Sequence, residues 1–184
     1  MIKVAIFGLF LLVLTIPVLG YEDSLKGYWK FDEGSGTTIY DETTNDNDGN
    51  IVGQGIWTTD SISGTALQFN GIDTFIGLGN PPSLKDFSDE IRFEAWVKRG
   101  SNQDGTLVSR NGPYYLGIQN NKVTGGIFFG GGPEGWTSIS GTTDLELNRW
   151  YHLMVAYDST EIKIYVDDVV DGSVAENRQI YIDD

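Results

Sequence analysis

Side-chain oxygen atoms are concentrated in one glycine-containing stretch, residues 32–50. Ca²⁺ takes about six to eight oxygen ligands from carboxylates, amides and backbone carbonyls, so this composition indicates a candidate calcium site. The spacing is not that of an EF-hand, because aligning Gly49 with the invariant glycine puts Thr44 at the first ligand and Gly55 at the required glutamate. The same residue types form solvated turns, and this alternative stays open. The oxygen-bearing residues are Asp32, Glu33, Asp41, Asn45, Asp46, Asn47, Asp48 and Asn50.

Four aromatic residues stand in or beside segments that predict loops, with Asn and Asp near several of them. Aromatic rings stack on the apolar faces of sugars, so we expect these residues to bind a carbohydrate ligand. A place in the core or on a sheet face is the alternative, and we assign Trp29, Trp96 and Trp150, which stand inside strand patterns, to structure. The ligand-binding candidates are Trp57, Tyr114, Tyr115 and Trp136.

The sequence contains few residue patterns that could form a catalytic site. Glycoside hydrolysis needs two carboxyl groups roughly 5–5.5 Å or roughly 6.5–9.5 Å apart. Glu90, Arg92 and Glu94 would share one face of a strand, but the middle position is an arginine. His152 is the single histidine and the chain has no cysteine, which argues against zinc and triad chemistry. The sequence therefore predicts no catalytic residue and a protein that is not an enzyme.

The elements that position these residues are short strands separated by turns. The chain contains 24 Gly, and its apolar runs end at clusters of Gly, Asn and Asp. Residues 91–98 alternate, and residues 150–157 have the pattern of a buried strand. Asn-Gly at residues 70–71 predicts a hairpin between residues 66–69 and 75–78. Together they predict an all-β domain of two stacked antiparallel sheets. Further strands are predicted at residues 27–31, 106–110, 114–119, 122–129 and 136–140.

The N-terminal segment has the order of a secretory signal peptide. Lys3 supplies positive charge, an apolar run follows, and the small residue Gly20 ends the segment. A membrane anchor, which is the alternative, needs about 20 apolar residues, and Pro17 interrupts the run early. The sequence thus predicts a signal peptide at residues 1–20, one domain at residues 21–184, and a secreted or cell-surface location without membrane contact after cleavage.

The charge of the chain limits its partners. The formal net charge is −14 at pH 7, and no cluster of Lys and Arg forms a basic patch. Nucleic acid and anionic membrane surfaces are therefore repelled. A small secreted domain without cysteine must depend on its core, or on a metal, for stability.

Four segments, taken in order, resemble the laminin-G-like jellyroll domains of the concanavalin A-like lectin/glucanase superfamily. They read GYWKFDEGSGT from Gly27, GTALQFNG from Gly64, FEAWVK from Phe93 and WYHL from Trp150. None of them is specific alone, but their shared order and spacing are typical of this family over roughly residues 26–175. The resemblance implies a two-sheet antiparallel β-sandwich, a concanavalin A-like jellyroll.

The resemblance also implies a structural Ca²⁺ ion in many relatives. The family's ligands match Asp32, the loop that contains Asp48 and Asn50, and a C-terminal acidic residue, Asp183. Two departures matter. The family usually has a glycine where Asp168 stands, and residues 180–184 match only the start of the family's last strand, so we expect a C-terminally truncated sandwich that lacks its final strand or strands.

These observations predict a non-catalytic extracellular binding module. The expected ligand is a carbohydrate or a cell-surface partner, as in adhesion. Two alternatives stay open: a protein-binding or spacer module of a larger secreted protein, and an accessory domain of a glycoside-active enzyme. Fold alone does not choose between them.

Overall fold

Extended strands make up most of the regular structure in the computed structural model. The described part of the chain contains two short 3₁₀ turns, Pro82–Leu84 and Gly132–Gly135, and no helix in it is long and apolar enough to span a membrane. The structure describes residues 3–4, 7–9, 25–85, 87, 89–110 and 113–181. The strands are β1 (Lys3–Val4), β2 (Phe7–Leu9), β3 (Thr38–Ile39), β4 (Gly49–Val52), β5 (Ile56–Thr58), β6 (Ala66–Gln68), β7 (Phe75–Gly77), β8 (Ile91–Lys98), β9 (Gly105–Arg110), β10 (Tyr114–Gln119), β11 (Lys122–Phe128), β12 (Trp136–Ser140), β13 (Trp150–Tyr157), β14 (Glu161–Val166) and β15 (Val169–Ala175).

The strands form two layers that face each other across one core. One layer is a seven-stranded sheet in the order β15-β14-β13-β8-β2-β6-β5. The other layer contains two four-stranded sheets, β1-β7-β4-β3 and β12-β11-β10-β9, which meet where β1 lies beside β9. Neighbouring strands pair in antiparallel fashion throughout these sheets. The all-β fold predicted from the sequence is confirmed.

Alternation along the central strands decides which side chains enter the core. Tyr151, Leu153 and Val155 of β13 point towards the opposite layer and are 2%, 0% and 0% exposed. The two layers meet where the rings of Phe93 and Tyr114 lie 5.0 Å apart. Burial of each large apolar side chain contributes about 1.5–3 kcal/mol to stability. The apolar side chains that the two layers direct at each other therefore hold the layers together.

The hairpin predicted at residues 70–71 is wrong. β6 pairs with β2 and β5 in one layer, whereas β7 pairs with β1 and β4 in the other. The chain between them crosses the sandwich. The Oδ1 atom of Asn70 fixes this crossing because it accepts the backbone N–H groups of Ile72, Asp73 and Thr74 at 2.9, 3.1 and 3.1 Å. The Asn-Gly pair correctly predicted a turn, but it does not determine which of the two layers the next strand joins.

The strand predicted at residues 27–31 is also wrong. In the described part of the chain this segment makes one isolated bridge, between Trp29 and Asp41. Phe31 has a φ of 62°, a left-handed conformation that interrupts an extended strand, and its ring is 2% exposed. The buried ring therefore determines the path of the backbone here, rather than pairing along a ladder.

Two tight turns place non-glycine residues in the left-handed region. Asn120 and Asn121, with φ of 51° and 64°, connect β10 to β11. Asp167 and Asp168, with φ of 50° and 65°, connect β14 to β15. Positive φ at both central residues is the type I′ geometry that matches the twist of a hairpin, and Asn and Asp tolerate it better than most residues.

Two pieces of the segment predicted as a signal peptide lie within the sheets. β1 pairs with β7, and β2 lies between β6 and β8. The domain limits at residues 20 and 21 and removal of the leader stay predictions, as does the incomplete C-terminal strand. Towards that end, the backbone N–H of Tyr181 donates to the carbonyl oxygen of Phe128 at 3.0 Å.

Candidate functional site

The outer face of the β9–β12 sheet presents every second residue of β10. Tyr114, Leu116 and Ile118 are 4%, 0% and 5% exposed and face the core, so Tyr115 and Gln119 point the other way. The register continues this outer face across the sheet, because Tyr115 pairs with Gly126 on β11, which in turn pairs with Ser138 on β12.

Four aromatic rings form a continuous cluster on this face, which we name the aromatic platform (Tyr115, Phe128, Trp136 and Tyr181). The ring of Trp136 lies 5.6 Å from that of Tyr115 and 5.5 Å from that of Phe128. Phe128 also meets Tyr181 edge-on at 5.4 Å. Trp136 and Tyr181 are 38% and 46% exposed. Rings that pack on one another while keeping open faces are suited to stacking on a ligand.

A groove runs beside the platform, and two glycines, Gly105 and Gly117, are part of its lining. Its volume is about 340 Å³. A Cβ atom on Gly117 would lie 2.8 Å from the carbonyl oxygen of Gly105. One on Gly126, which pairs with Tyr115 outside this lining, would lie 2.5 Å from Cε1 of that tyrosine. Side chains at these positions would displace the neighbouring ring or backbone. The lining of the groove includes Asp104, Gly105, Thr106, Tyr115, Gly117 and Gln119.

A polar network attaches the C-terminal segment to the edge of this sheet. Oε2 of Glu176 accepts hydrogen bonds from Oγ1 of Thr137 and from the Arg178 guanidinium, both at 2.6 Å. The Arg178 hydrogen bonds, followed by that from Thr137, lower the pKa of the Glu176 carboxyl to about 2 against the opposing effect of burial. This network holds the segment that carries Tyr181 of the platform.

The predicted ligand residues divide between surface and core. Tyr115 and Trp136 come together in the platform, but Tyr114 does not join them. Its ring packs against Phe93 and Phe87, at 5.0 and 6.0 Å, and burial raises the pKa of its hydroxyl to about 12. Tyr114 is therefore corrected to a core residue. Alternation allows only one of two neighbouring tyrosines to reach the outer face.

Trp57 lies elsewhere in the molecule. It belongs to β5, the edge strand of the seven-stranded sheet, and its side chain packs against the core cluster. Its Nε1–H donates to the carbonyl oxygen of Gly36 at 3.1 Å. Trp57 and the platform are thus on different layers, and the structure does not combine them in one site.

The sequence analysis missed two members of the platform. Phe128 is the last residue of β11, on the same face as Gly126, so alternation along the strand predicted at residues 122–129 could have identified it. Tyr181 reaches the platform from a segment that follows β15, and no local pattern predicts that contact.

The acid-rich stretch is organised by one buried carboxylate. Asp41 is 8% exposed. Its Oδ1 accepts the backbone N–H of Tyr28 at 2.9 Å and that of Thr43 at 3.0 Å, and its Oδ2 accepts that of Asn47 at 2.9 Å. Oδ1 of Asp48 accepts the N–H of Asp41 at 2.9 Å. These bonds satisfy the turn backbone, which is the role that the alternative of a solvated turn assigns to such residues.

The remaining predicted metal ligands are dispersed. Oδ1 of Asp32 accepts the backbone N–H of Thr65 at 3.2 Å, and Asn50 is an exposed residue of β4. Asp183 lies outside the described residues. In the part that the structure describes, no three His, Cys, Asp or Glu side chains are grouped as metal ligands. Calcium binding stays a prediction.

The carboxylates considered for catalysis have other partners. Arg92 donates to Oε2 of Glu94 through Nε at 2.7 Å. The imidazole of His152 is stacked on Trp96 with ring centroids 5.3 Å apart, and its Nδ1 lies 2.9 Å from Oδ1 of Asp168. A histidine held by stacking and by a hydrogen bond in this way is consistent with a structural role.

Sequence comparison agrees with this architecture. Residues 70–183, more than half of the chain, match the laminin G 3 family, described as the concanavalin A-like lectin/glucanases superfamily. The chain belongs to this family. No curated protein matches its sequence.

Solved structures with the same fold come from several bacteria. The binding domain of Paraclostridial Mosquitocidal Protein 1 is 14% identical with a TM-score of 0.70, covering 88% of this chain and 43% of that one. The receptor-binding domain of botulinum neurotoxin C/D mosaic is 13% identical with a TM-score of 0.64, covering 86% and 42%. Domain 4 of AbnA, a GH43 arabinanase from Geobacillus stearothermophilus, is 19% identical with a TM-score of 0.63, covering 86% and 78%. This chain thus spans less than half of either toxin domain.

Proposed function

We propose that this domain is a non-catalytic extracellular module that binds a glycan across the aromatic platform and the adjoining groove. The observation that carries the proposal is the cluster of Tyr115, Phe128 and Trp136, whose rings lie 5.5–5.6 Å apart on one sheet face. A glycan is the ligand class that combines apolar ring faces, for stacking, with hydroxyl groups at its edges.

The polar edge of the site suits sugar hydroxyls. Thr106 and Gln119 are exposed residues in the lining of the groove, where they can donate and accept hydrogen bonds. The groove of about 340 Å³ falls within the range of small-ligand sites, roughly 300–1,000 Å³. Gly105 and Gly117 in the lining let a ligand approach the backbone closely.

The structural neighbours include domains of this fold that bind ligands, one of them a carbohydrate. The arabinanase domain was solved with arabinotriose, which fits an accessory carbohydrate-binding role, and the toxin neighbours are described as binding domains. The sequence identity of each neighbour is under one-fifth, so these neighbours support only a fold that is used for ligand binding. The chemistry of the platform is what favours a glycan as the ligand.

A glycan array on the folded full chain, followed by calorimetric titration of the best sugar, tests the proposal. Trp136→Ala is expected to weaken binding about 2- to 10-fold, since one aromatic contact contributes about 0.5–1.5 kcal/mol. Tyr40→Ala is the matched control, because Tyr40 is 56% exposed and lies outside the platform. An unchanged dissociation constant in Trp136→Ala, or silence of the folded protein on the array, contradicts the proposal.

A second candidate function is protein binding at a sheet edge. β15 ends the seven-stranded sheet and carries Val169 and Val170, 68% and 51% exposed. An open edge with exposed apolar residues can pair with a strand of another chain. Silence of the folded protein on the glycan array would favour this function over the first.

A further inference from the structure

The groove beside the platform has two ends of different chemistry. Its lining contains Tyr115 of the platform and, four residues further along the outer face of β10, Gln119. At about 3.3 Å per residue, these two positions are about 13 Å apart. The lining therefore extends beyond a single sugar ring, so an oligosaccharide that stacks on the platform can reach the groups at the Gln119 end.

Asp104 supplies a negative charge at that far end. It is exposed, and it is the only charged residue among those that line the groove. Its Oδ1 accepts the backbone N–H of Asn120, the residue after Gln119, at 2.8 Å, which places the carboxylate group itself at this end. Among the described residues its Oδ2 has no hydrogen-bond or ion-pair partner. That oxygen is available to a ligand.

The basic side chains around this sheet are already paired with carboxylates. Lys122 of β11 lies 3.0 Å from Oδ1 of Asp144, and Arg178 lies 2.6 Å from Oε2 of Glu176. Glu134, in the turn before β12, is exposed and belongs to no ion pair in the part of the chain that the structure describes. The net charge of −14 adds a long-range attraction for cations. A cationic ligand therefore meets a favourable field here, and an anionic one does not.

We propose that the groove binds oligosaccharides of amino sugars, with the ammonium group of one sugar paired with the carboxylate of Asp104. This assignment rests on the proposed function, because it names the class of glycan for the same site. An ammonium group forms charge-assisted hydrogen bonds with a carboxylate and is attracted to the faces of aromatic rings. The groove offers the carboxylate at one end and the platform at the other, and glucosamine oligomers are the simplest ligands that use both.

The same charge disfavours acidic sugars. A uronate in the groove would bring its carboxylate towards that of Asp104, and like charges at close range repel each other. A neutral sugar can stack on the platform without either effect. Asp104 should therefore rank ligands of equal length in the order amino sugar, neutral sugar, acidic sugar, and its removal should compress this order. The change in the order is specific to the charge of Asp104, whereas the affinity for a neutral sugar reports on the platform.

Asp104→Asn is the variant that tests this assignment. It retains the oxygen that accepts the N–H of Asn120 and removes only the charge. We expect it to weaken binding of a glucosamine trisaccharide about 2- to 5-fold, the contribution of an exposed ion pair. Binding of the N-acetylated trisaccharide should not change, and binding of a galacturonate trisaccharide should become tighter. Asp46→Asn is the matched control, because Asp46 is exposed between β3 and β4 and its φ of 51° is one that asparagine tolerates.

Calorimetric titration of the folded full chain with the three trisaccharides measures these effects. The titrations are run at pH 6, where sugar amines are protonated and ordinary exposed carboxylates are ionised, first at low salt and then at high salt. Because salt screens an exposed ion pair, the weakening caused by Asp104→Asn should shrink at high salt. The N-acetylated trisaccharide is the internal control for folding, since a variant with a damaged platform would lose affinity for this ligand as well.

The outcomes separate this inference from the proposed function. Weakening that is confined to the glucosamine trisaccharide in Asp104→Asn, and is absent from Asp46→Asn, supports the inference. Wild-type protein that binds the galacturonate trisaccharide as tightly as the glucosamine one overturns it, and so does an Asp104→Asn variant that binds the glucosamine trisaccharide as the wild type does or weakens all three ligands equally. Binding of a neutral glycan in any of these cases retains the proposed function, whereas silence of the folded protein towards every glycan rejects both.

Discussion

Replacing Glu176 by glutamine should change both the stability and the pH response of the domain. The side chain of Glu176 is 8% exposed and is ion-paired with Arg178 at 2.6 Å. Its pKa is lowered to about 2, from about 4.3 in an unfolded chain. Each pKa unit corresponds to about 1.4 kcal/mol. Because Arg178 is 44% exposed and solvent screens the pair, we expect a loss of about 1–3 kcal/mol at pH 7.

The direction of the pH effect follows from the lowered pKa. A depressed carboxyl pKa contributes its full stability above the unfolded value and loses it as the pH falls towards the folded value. Wild-type stability attributable to Glu176 should therefore be complete near pH 6 and disappear between about pH 5 and 2. The free energy of unfolding of Glu176→Gln should be lower at pH 7 and should fall less steeply with acid. The stability curves of the variant and the wild type should therefore converge at about pH 2.

Urea unfolding followed by tryptophan fluorescence at pH 7, 5, 4 and 3 measures this difference. Glu90→Gln is the matched control, because Glu90 is an exposed glutamate. Asp158 and Asp171 also have lowered carboxyl pKa values, through hydrogen bonds from Thr160 and, against burial, from Thr143, and they contribute the same background to every variant. A Glu176→Gln protein whose stability falls with acid as steeply as the wild type would refute the reasoning.

Two further predictions concern the glycine beside Tyr115 of the platform and calcium. Gly126→Ala introduces a Cβ atom 2.5 Å from Cε1 of Tyr115, so it should displace that ring and weaken glycan binding about 3-fold or more. Gly100→Ala, with open space at its Cβ, is the control and should bind glycan as the wild type does. Equal glycan affinities in the two variants would contradict this account. We expect Ca²⁺ added to chelator-treated protein to release or absorb heat and to raise Tm, and Asp48→Asn, which keeps an acceptor oxygen for Asp41, to abolish both effects. No heat and no change in Tm would rule out the calcium site.

Local pattern was enough for most of the strands. In β8 and β14 apolar and polar residues alternate, because one face of each strand meets the opposite layer, whereas β13 is a nearly continuous buried run. Such a pattern can be identified in the sequence of each strand without knowing which strands lie beside it. The segment around Phe31 failed because one buried ring in a left-handed conformation overrode its strand pattern.

The choice between adjacent residues needed the tertiary structure. Tyr114 and Tyr115 have the same chemistry, yet one is a core residue and the other a platform residue. The sequence of β10 fixes that they face opposite ways, but not which way, since Tyr is suited to either environment. The register of β10 with β9 and β11 decides it.

Sequence by itself determined the class of this protein: an acidic, cysteine-free, all-β chain with family motifs in order and no recognisable catalytic pattern. Tertiary structure alone decided which distant residues come together. Tyr181 joins Phe128, and Arg99 meets Leu145, across 46 or more residues of sequence. Contacts at that separation depend on how two layers pack, and packing is a property of all the strands together rather than of any segment.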